Sequence, residues 1–406
     1  MKIKLLIYAT VLLTGCITVQ KTMQENPTSF GNEVNFLKQY TKTIVLKTKT
    51  GNEKIAVCPE LQGKIMASSL DGDSGQTFAW VNRGHIKSGN NDPVINSHGG
   101  EDRFWLGPQA GQYSIYNLPG DPFDKWFTPP PFNSETFEVI SHSGTEVKME
   151  KEMIISNYCH FVFQLKVLRD IRILDRKSIK KELNIDFPEQ MKTVGFLSDN
   201  TIINTGDKPW TKKTGLLSIW ILGMMKPTDD TIVVFPYNQG QEKELGIVCC
   251  DNYFGEPVPK DRLGITDKAV YFKGDARYTG KIGLSAKRAK NVFGSYDAQN
   301  KILTIVKYSK QDNILDYVNS VLEIQKFPYR GDAVNSYNDG PAAENKPGNI
   351  YEIESSSPAA MLAPGESLNH LHKTFHFVGT VDDLSDISEQ VLGVSINEIA
   401  ESFKAK

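Results

Sequence analysis

The chain has no CxxC pair, no basic run, no internal repeat and no alternation of strands with helices. Each absence excludes something. Without CxxC spacing a structural zinc or redox site has no sequence support. Without a basic run, and with a formal net charge of -2 over 406 residues, a nucleic-acid partner is not expected. Without βαβ alternation the sheet is not expected to be parallel. Cysteine is scarce, with 5 in the chain. Cys249 and Cys250 are adjacent in the apolar run GIVCC, which reads as a strand with buried free thiols. Aromatics are plentiful (Trp 5, Tyr 15, Phe 20), which suits sheets and an aromatic-lined sugar site.

The apolar run at residues 5–13 follows Lys2 and Lys4 and is too short to cross a bilayer. It ends in Leu13-Thr14-Gly15-Cys16, which resembles the lipobox of bacterial lipoproteins. That resemblance implies lipidation of Cys16 and a membrane anchor in the cell envelope, at the outer membrane. Residues 1–16 are then a signal peptide and residues 17–40 a polar tether. Residues 41–380 read as one antiparallel β domain. Residues 381–406 read as a helical extension, in which Ser395 and Glu398 have capping-box spacing.

Inside the domain, strands are expected at residues 44–46, 55–58, 64–70, 77–81, 161–167, 194–197, 216–222, 231–235, 245–250, 269–273, 302–308 and 317–325, with one short helix between 176 and 187. Residues 84–96 read as a polar loop. Residues 118–132 form a Pro-rich aromatic loop, functional or packed on itself. The run NSYNDGP at 335–341 has turn chemistry.

The densest chemistry lies at residues 349–377. Glu352 and Glu354 alternate with Tyr351 and Ile353, so both carboxylates share a face. After Pro358, Pro364 and Gly365, a second strand puts His370, His372, Thr374 and His376 on one face. A His-x-His pair with either acid permits a zinc reading, set against plain strand histidines. Upstream, SHGGEDRFW gathers His98, Glu101, Asp102, Arg103 and Trp105. Arg103 offers a planar fork for a sugar carboxylate or hydroxyl pair, and Trp105 a face for a pyranose; a structural ion pair and a core tryptophan are the alternatives.

Laid out this way, the chain resembles galactose mutarotase (aldose 1-epimerase) and its superfamily. The residues that carry the likeness are His98-Gly99-Gly100, the late-strand Glu352 and Glu354 before Pro358, and Pro364-Gly365-Glu366 before the last strand. GGEDRFWLGP, GSYDA, NSYNDGP and ESSSPA look like a lipoprotein branch of that superfamily. The resemblance implies a mainly β supersandwich of two curved antiparallel sheets with a concave sugar-binding face. It implies a carbohydrate ligand, no cofactor and no metal. It implies a Glu base, with Glu354 the first match and Glu352 the second. The family's acid is a mid-chain histidine, but the counterpart segment here, Asp199 to Gly206, contains none. His98, His370 or His372 then stands in for it, and Asn204 of that segment is a candidate sugar contact. Three activities remain open: a sugar isomerase, a non-catalytic glycan-binding lipoprotein, and a glycoside-cleaving enzyme pairing Glu354 with Glu101 or Asp102.

Overall fold

A computed structural model describes residues 29–311, 313–340 and 349–404. In chain order it contains α1 (Phe30–Tyr40), β1 (Ile44–Lys47), β2 (Lys54–Cys58), β3 (Lys64–Ser69), α2 (Arg83–Ser88), β4 (Arg103–Gly107), β5 (Glu138–His142), β6 (Glu146–Ser156), β7 (Val162–Leu174), α3 (Arg176–Leu183) and β8 (Lys192–Asn204). It continues with β9 (Ser218–Met225), β10 (Thr231–Pro236), α4 (Glu242–Leu245), β11 (Leu263–Ile265), β12 (Ala269–Lys273), β13 (Gly280–Ser285) and β14 (Val292–Asp297). The last elements are β15 (Ile302–Tyr308), β16 (Asp332–Asp339), β17 (Ile350–Ser356), β18 (Ser367–Val378), α5 (Val381–Leu392) and α6 (Ile396–Glu401).

Two antiparallel sheets dominate. One has ten strands in the order β11-β12-β10-β14-β15-β18-β8-β7-β6-β5, the other five in the order β13-β16-β17-β9-β4. A smaller sheet, β1-β2-β3, adjoins them. This is the expected mainly β, large antiparallel supersandwich with short C-terminal helices. The alternation in β7 explains its packing: Phe163, Leu165, Val167, Ile171 and Ile173 turn inward and their neighbours outward. β18 pairs with β8 along its whole length, from Ser367 opposite Ile203 to Val378 opposite Lys192. Its outward Phe375 and Phe377 are covered by Ile179 of α3, Phe187 and Leu384 of α5. The capping box of α6 is formed, with Glu398 N–H donating to Ser395 Oγ and Ser395 N–H to the Glu398 carboxylate.

The sandwich interior is polar in one belt. The guanidinium of Arg169 ion-pairs with Asp102 and donates to Gly63 O at 2.9 Å and Asn200 Oδ1 at 2.5 Å; every member is fully buried or backbone. Glu101 accepts from Ser68 N and Ser68 Oγ, both at 2.6 Å, and lies 3.1 Å from His376 Nε2. Phe78 stacks on the His376 ring at 4.1 Å.

Several expectations change. The tether expected over residues 17–40 is a helix from Phe30 onward, capped by Ser29, with Phe30, Val34 and Leu37 buried. The apolar i, i+4, i+7 spacing explains it. Cys16 and the rest of residues 1–28 lie outside the described residues. The loop at 84–96 opens with α2, capped by Asn82. Residues 77–81 and 317–325 are irregular with isolated bridges, and GIVCC follows the short α4 instead of forming a strand. NSYNDGP is not a turn over its first five residues: they lie in β16. Asn335 and Asn338 donate sideways to Ile282 O and Tyr278 O, so two turn-forming side chains tie strands together.

Candidate active site on the five-stranded sheet

Directly paired residues of an antiparallel sheet share a face, so the register builds the site. One row runs Lys281, Tyr337, Glu352, Met224 across β13, β16, β17 and β9. The next runs Asn335, Glu354, Leu222, Arg103 across β16, β17, β9 and β4. A third sets Ser356, Trp220 and Trp105 side by side. Two glycines let β4 start where it does. A Cβ on Gly99 would lie 2.1 Å from Trp80 O and one on Gly100 2.9 Å from Ile65 O; both take positive φ (86° and 108°).

Over this face lies a cavity of about 460 Å³. Arg103, Glu352 and Lys281 form its polar floor, with Trp105, Trp220 and Tyr337 beside them. Phe123 and Trp126, from the aromatic loop at 118–132, form a wall with Val94 and Ile95. Ser320 and Leu322, from the segment expected to be a strand, close another side.

Glu354, the first choice for the base, lies under the floor and is fully buried. Lys281 Nζ donates to its Oε1 at 3.0 Å and Oε2 at 2.8 Å, and Trp220 Nε1–H donates to Oε2 at 2.8 Å. It is thus committed to holding Lys281, whose Nζ sits 4.7 Å from the Trp220 ring centre. Glu352 instead lines the cavity. Burial first, and the neighbouring Glu354 second, push its carboxyl up to about 8, against the opposing pull of Arg103 and Lys281. Arg103 lies over Trp105 with its guanidinium carbon 3.8 Å from the ring centre. The face of Trp105 expected to receive a sugar therefore receives Arg103.

The raised Glu352 carboxyl has a stability consequence. Below the unfolded value of about 4.5 both states are protonated and it costs nothing. As pH rises from there towards 8, only the unfolded state ionises, so stability falls by an amount on the order of a few kcal/mol. Glu352→Gln is therefore expected to raise the unfolding midpoint at pH 9 and leave it nearly unchanged at pH 4. Urea titrations at both values check this; an equal effect at both contradicts it.

The histidines are elsewhere. His370 and His372 lie on the other side of β17, where Ser355 Oγ contacts His370 Nε2 and His372 Nδ1, both at 2.8 Å. Burial drives them down to about 3 and about 4, so both are neutral near pH 7. The histidine row and the Glu352–Glu354 pair thus occupy opposite faces, and the zinc reading loses its carboxylate ligand. His98 packs against the His85 ring at 5.0 Å, and burial holds its imidazole far below the ordinary value. It is not among the described residues lining the cavity. Glu101 and Asp102 belong to the interior belt. Asn204 caps a distant loop, donating to Lys208 O and Leu362 O. Lys281, Trp220, Tyr253 and Tyr337 were not singled out by sequence. Trp220 and Tyr337 did stand in flagged runs, 216–222 and NSYNDGP.

The family model of DUF6786, described as a family of unknown function, matches residues 28–403. The chain belongs to DUF6786. No curated protein matches it. Among solved structures, this DUF6786 chain is similar to a provisionally assigned aldose 1-epimerase from Escherichia coli K12, at 12% identity and TM-score 0.50, covering 83% of this chain and 99% of that one. It is also similar to the Slr1438 protein of Synechocystis sp. PCC 6803, at 13% identity and TM-score 0.51, covering 84% and 96%. At these identities the likeness establishes the fold alone, the large antiparallel β-sandwich described above.

Proposed function

We propose that the cavity binds a sugar ring and that the protein interconverts its anomers. The observation that carries this reading is a carboxyl raised to about 8, Glu352, facing an aromatic-walled cavity between Arg103 and Lys281. The assignment of the Escherichia coli neighbour as an aldose 1-epimerase supports it.

In this account ionised Glu352 takes the proton of the anomeric hydroxyl. The O–H pair becomes the C1=O double bond, the C1–O5 bond breaks, and O5 takes a proton from the Lys281 ammonium. Rotation about C1–C2 and the reverse transfers close the other anomer and restore both groups. Arg103 positions the sugar, and Glu354 with Trp220 holds Lys281. This replaces the histidine acid by a lysine and moves the base role from Glu354 to Glu352. A two-carboxylate glycosidase is less supported, because Glu101 and Asp102 face the sandwich interior and Glu354 is engaged by Lys281.

Anomer exchange followed by saturation-transfer NMR over a panel of aldoses tests the reading. The expected result is exchange faster than in buffer for at least one sugar. Sugar that raises the unfolding temperature without exchange would favour the second reading, a binding protein, which the placement of His98, His370 and His372 outside the cavity supports. Neither effect would end both.

Export and lipid anchoring through Cys16, placing the domain in the cell envelope, form part of the same proposal. Mass spectrometry of the N-terminal peptide from membranes should show a lipidated Cys16, and Cys16→Ser should release the protein. An unmodified Cys16 peptide contradicts the anchor.

A further inference from the structure

The floor of the cavity holds one cation too many. Lys281 is neutralised by Glu354. Arg103 is 2% exposed, and its Nε and Nη1 have no hydrogen-bond partner among the described residues. A buried polar group normally finds a partner, and a buried charge more so. The two carboxyls of β17, one strand beyond β9, do not serve: Glu354 is taken by Lys281 and Trp220, and Glu352 is protonated near neutral pH. Asp339 accepts from Tyr337 and is not among the lining residues, while Asp124 stands exposed at the rim. Trp105 fixes the plane of the guanidinium from one side, so its fork is pre-oriented.

We propose that the sugar this site takes carries a carboxylate, as a free hexuronic acid or a hexuronate unit of a glycan, and that Arg103 binds that group. The inference rests on the sugar-binding reading above. A planar carboxylate matches the guanidinium fork, and the pair gains most where water is excluded. Charge decides between acids: one uncompensated cation is cancelled by one negative charge. A phosphate ester, close to a dianion, would leave an excess beside Glu354.

Calorimetric titration of the intact protein tests this with galacturonic and glucuronic acids, their methyl esters, the neutral hexoses and the hexose 6-phosphates. At least one free acid is expected to bind about tenfold or more tightly than its methyl ester. Arg103→Gln is expected to reduce that ratio to within about twofold, and Arg103→Lys, which keeps charge but loses the fork, to leave an intermediate ratio. If Arg103→Gln does not fold, the acid-to-ester ratio of the unaltered protein decides alone. Equal binding of acid and ester overturns the inference, as does a preference that persists in folded Arg103→Gln. Tighter binding of a 6-phosphate than of any uronate also overturns it. Neutral hexoses binding as well as uronates would end the carboxylate assignment while leaving sugar binding intact; no binding by any sugar would end both.

Discussion

Glu352→Gln is expected to lower the protein-catalysed rate of anomer exchange by on the order of 10²- to 10⁴-fold, the range of a single proton-transfer group. The amide keeps the shape and hydrogen-bonding reach of the side chain, so sugar affinity should change far less than rate. The pH profile separates a chemical role from a structural one. Ionised Glu352 is the proton acceptor, so the rate of the unaltered protein should rise with pH and level off above about 8. In the variant that rise should vanish. A variant rate within a few-fold of the original, or an unchanged pH dependence, would remove Glu352 from the mechanism.

Arg169→Met is expected to cost about 3–5 kcal/mol of folding stability. The substitution leaves Asp102 fully buried with its ion-pair partner gone and Ser198 Oγ, at 2.7 Å, as a remaining donor. Gly63 O and Asn200 Oδ1 lose their hydrogen bonds as well. Adding Asp102→Asn removes the stranded charge and should recover part of the loss. Urea denaturation of the single and double variants measures both. A single-variant loss under about 1 kcal/mol would mean that the buried Arg169–Asp102 pair contributes little to the folded state.

How far these residues were legible in advance follows from periodicity. Alternation alone put Glu352 and Glu354 on one face and gathered His370, His372 and His376 on another. Both groupings hold. Alternation is blind to which face meets the cavity. The sandwich has two sheets and therefore two inner strand faces that read alike, and the histidine row went to the interior, behind β17. Nor does a strand pattern reveal partners. Lys281 reaches Glu354 only because β16 lies between β13 and β17, a neighbour relation set by a long-range register. β16 itself was hidden because asparagines that usually make turns here donate to adjacent backbone. Residues 317–325 were read as a strand from their apolar content; they run irregularly along the cavity, which Ser320 and Leu322 line, and Leu322 stays exposed.

A crystal structure of the protein with a bound monosaccharide tests the central claim most directly. The sugar should lie in the cavity over β4, β9, β17 and β13, its anomeric oxygen within hydrogen-bonding distance of the Glu352 carboxyl and its ring oxygen facing Lys281. A sugar bound outside that cavity, or one seated there with its anomeric centre turned away from Glu352, would contradict the account.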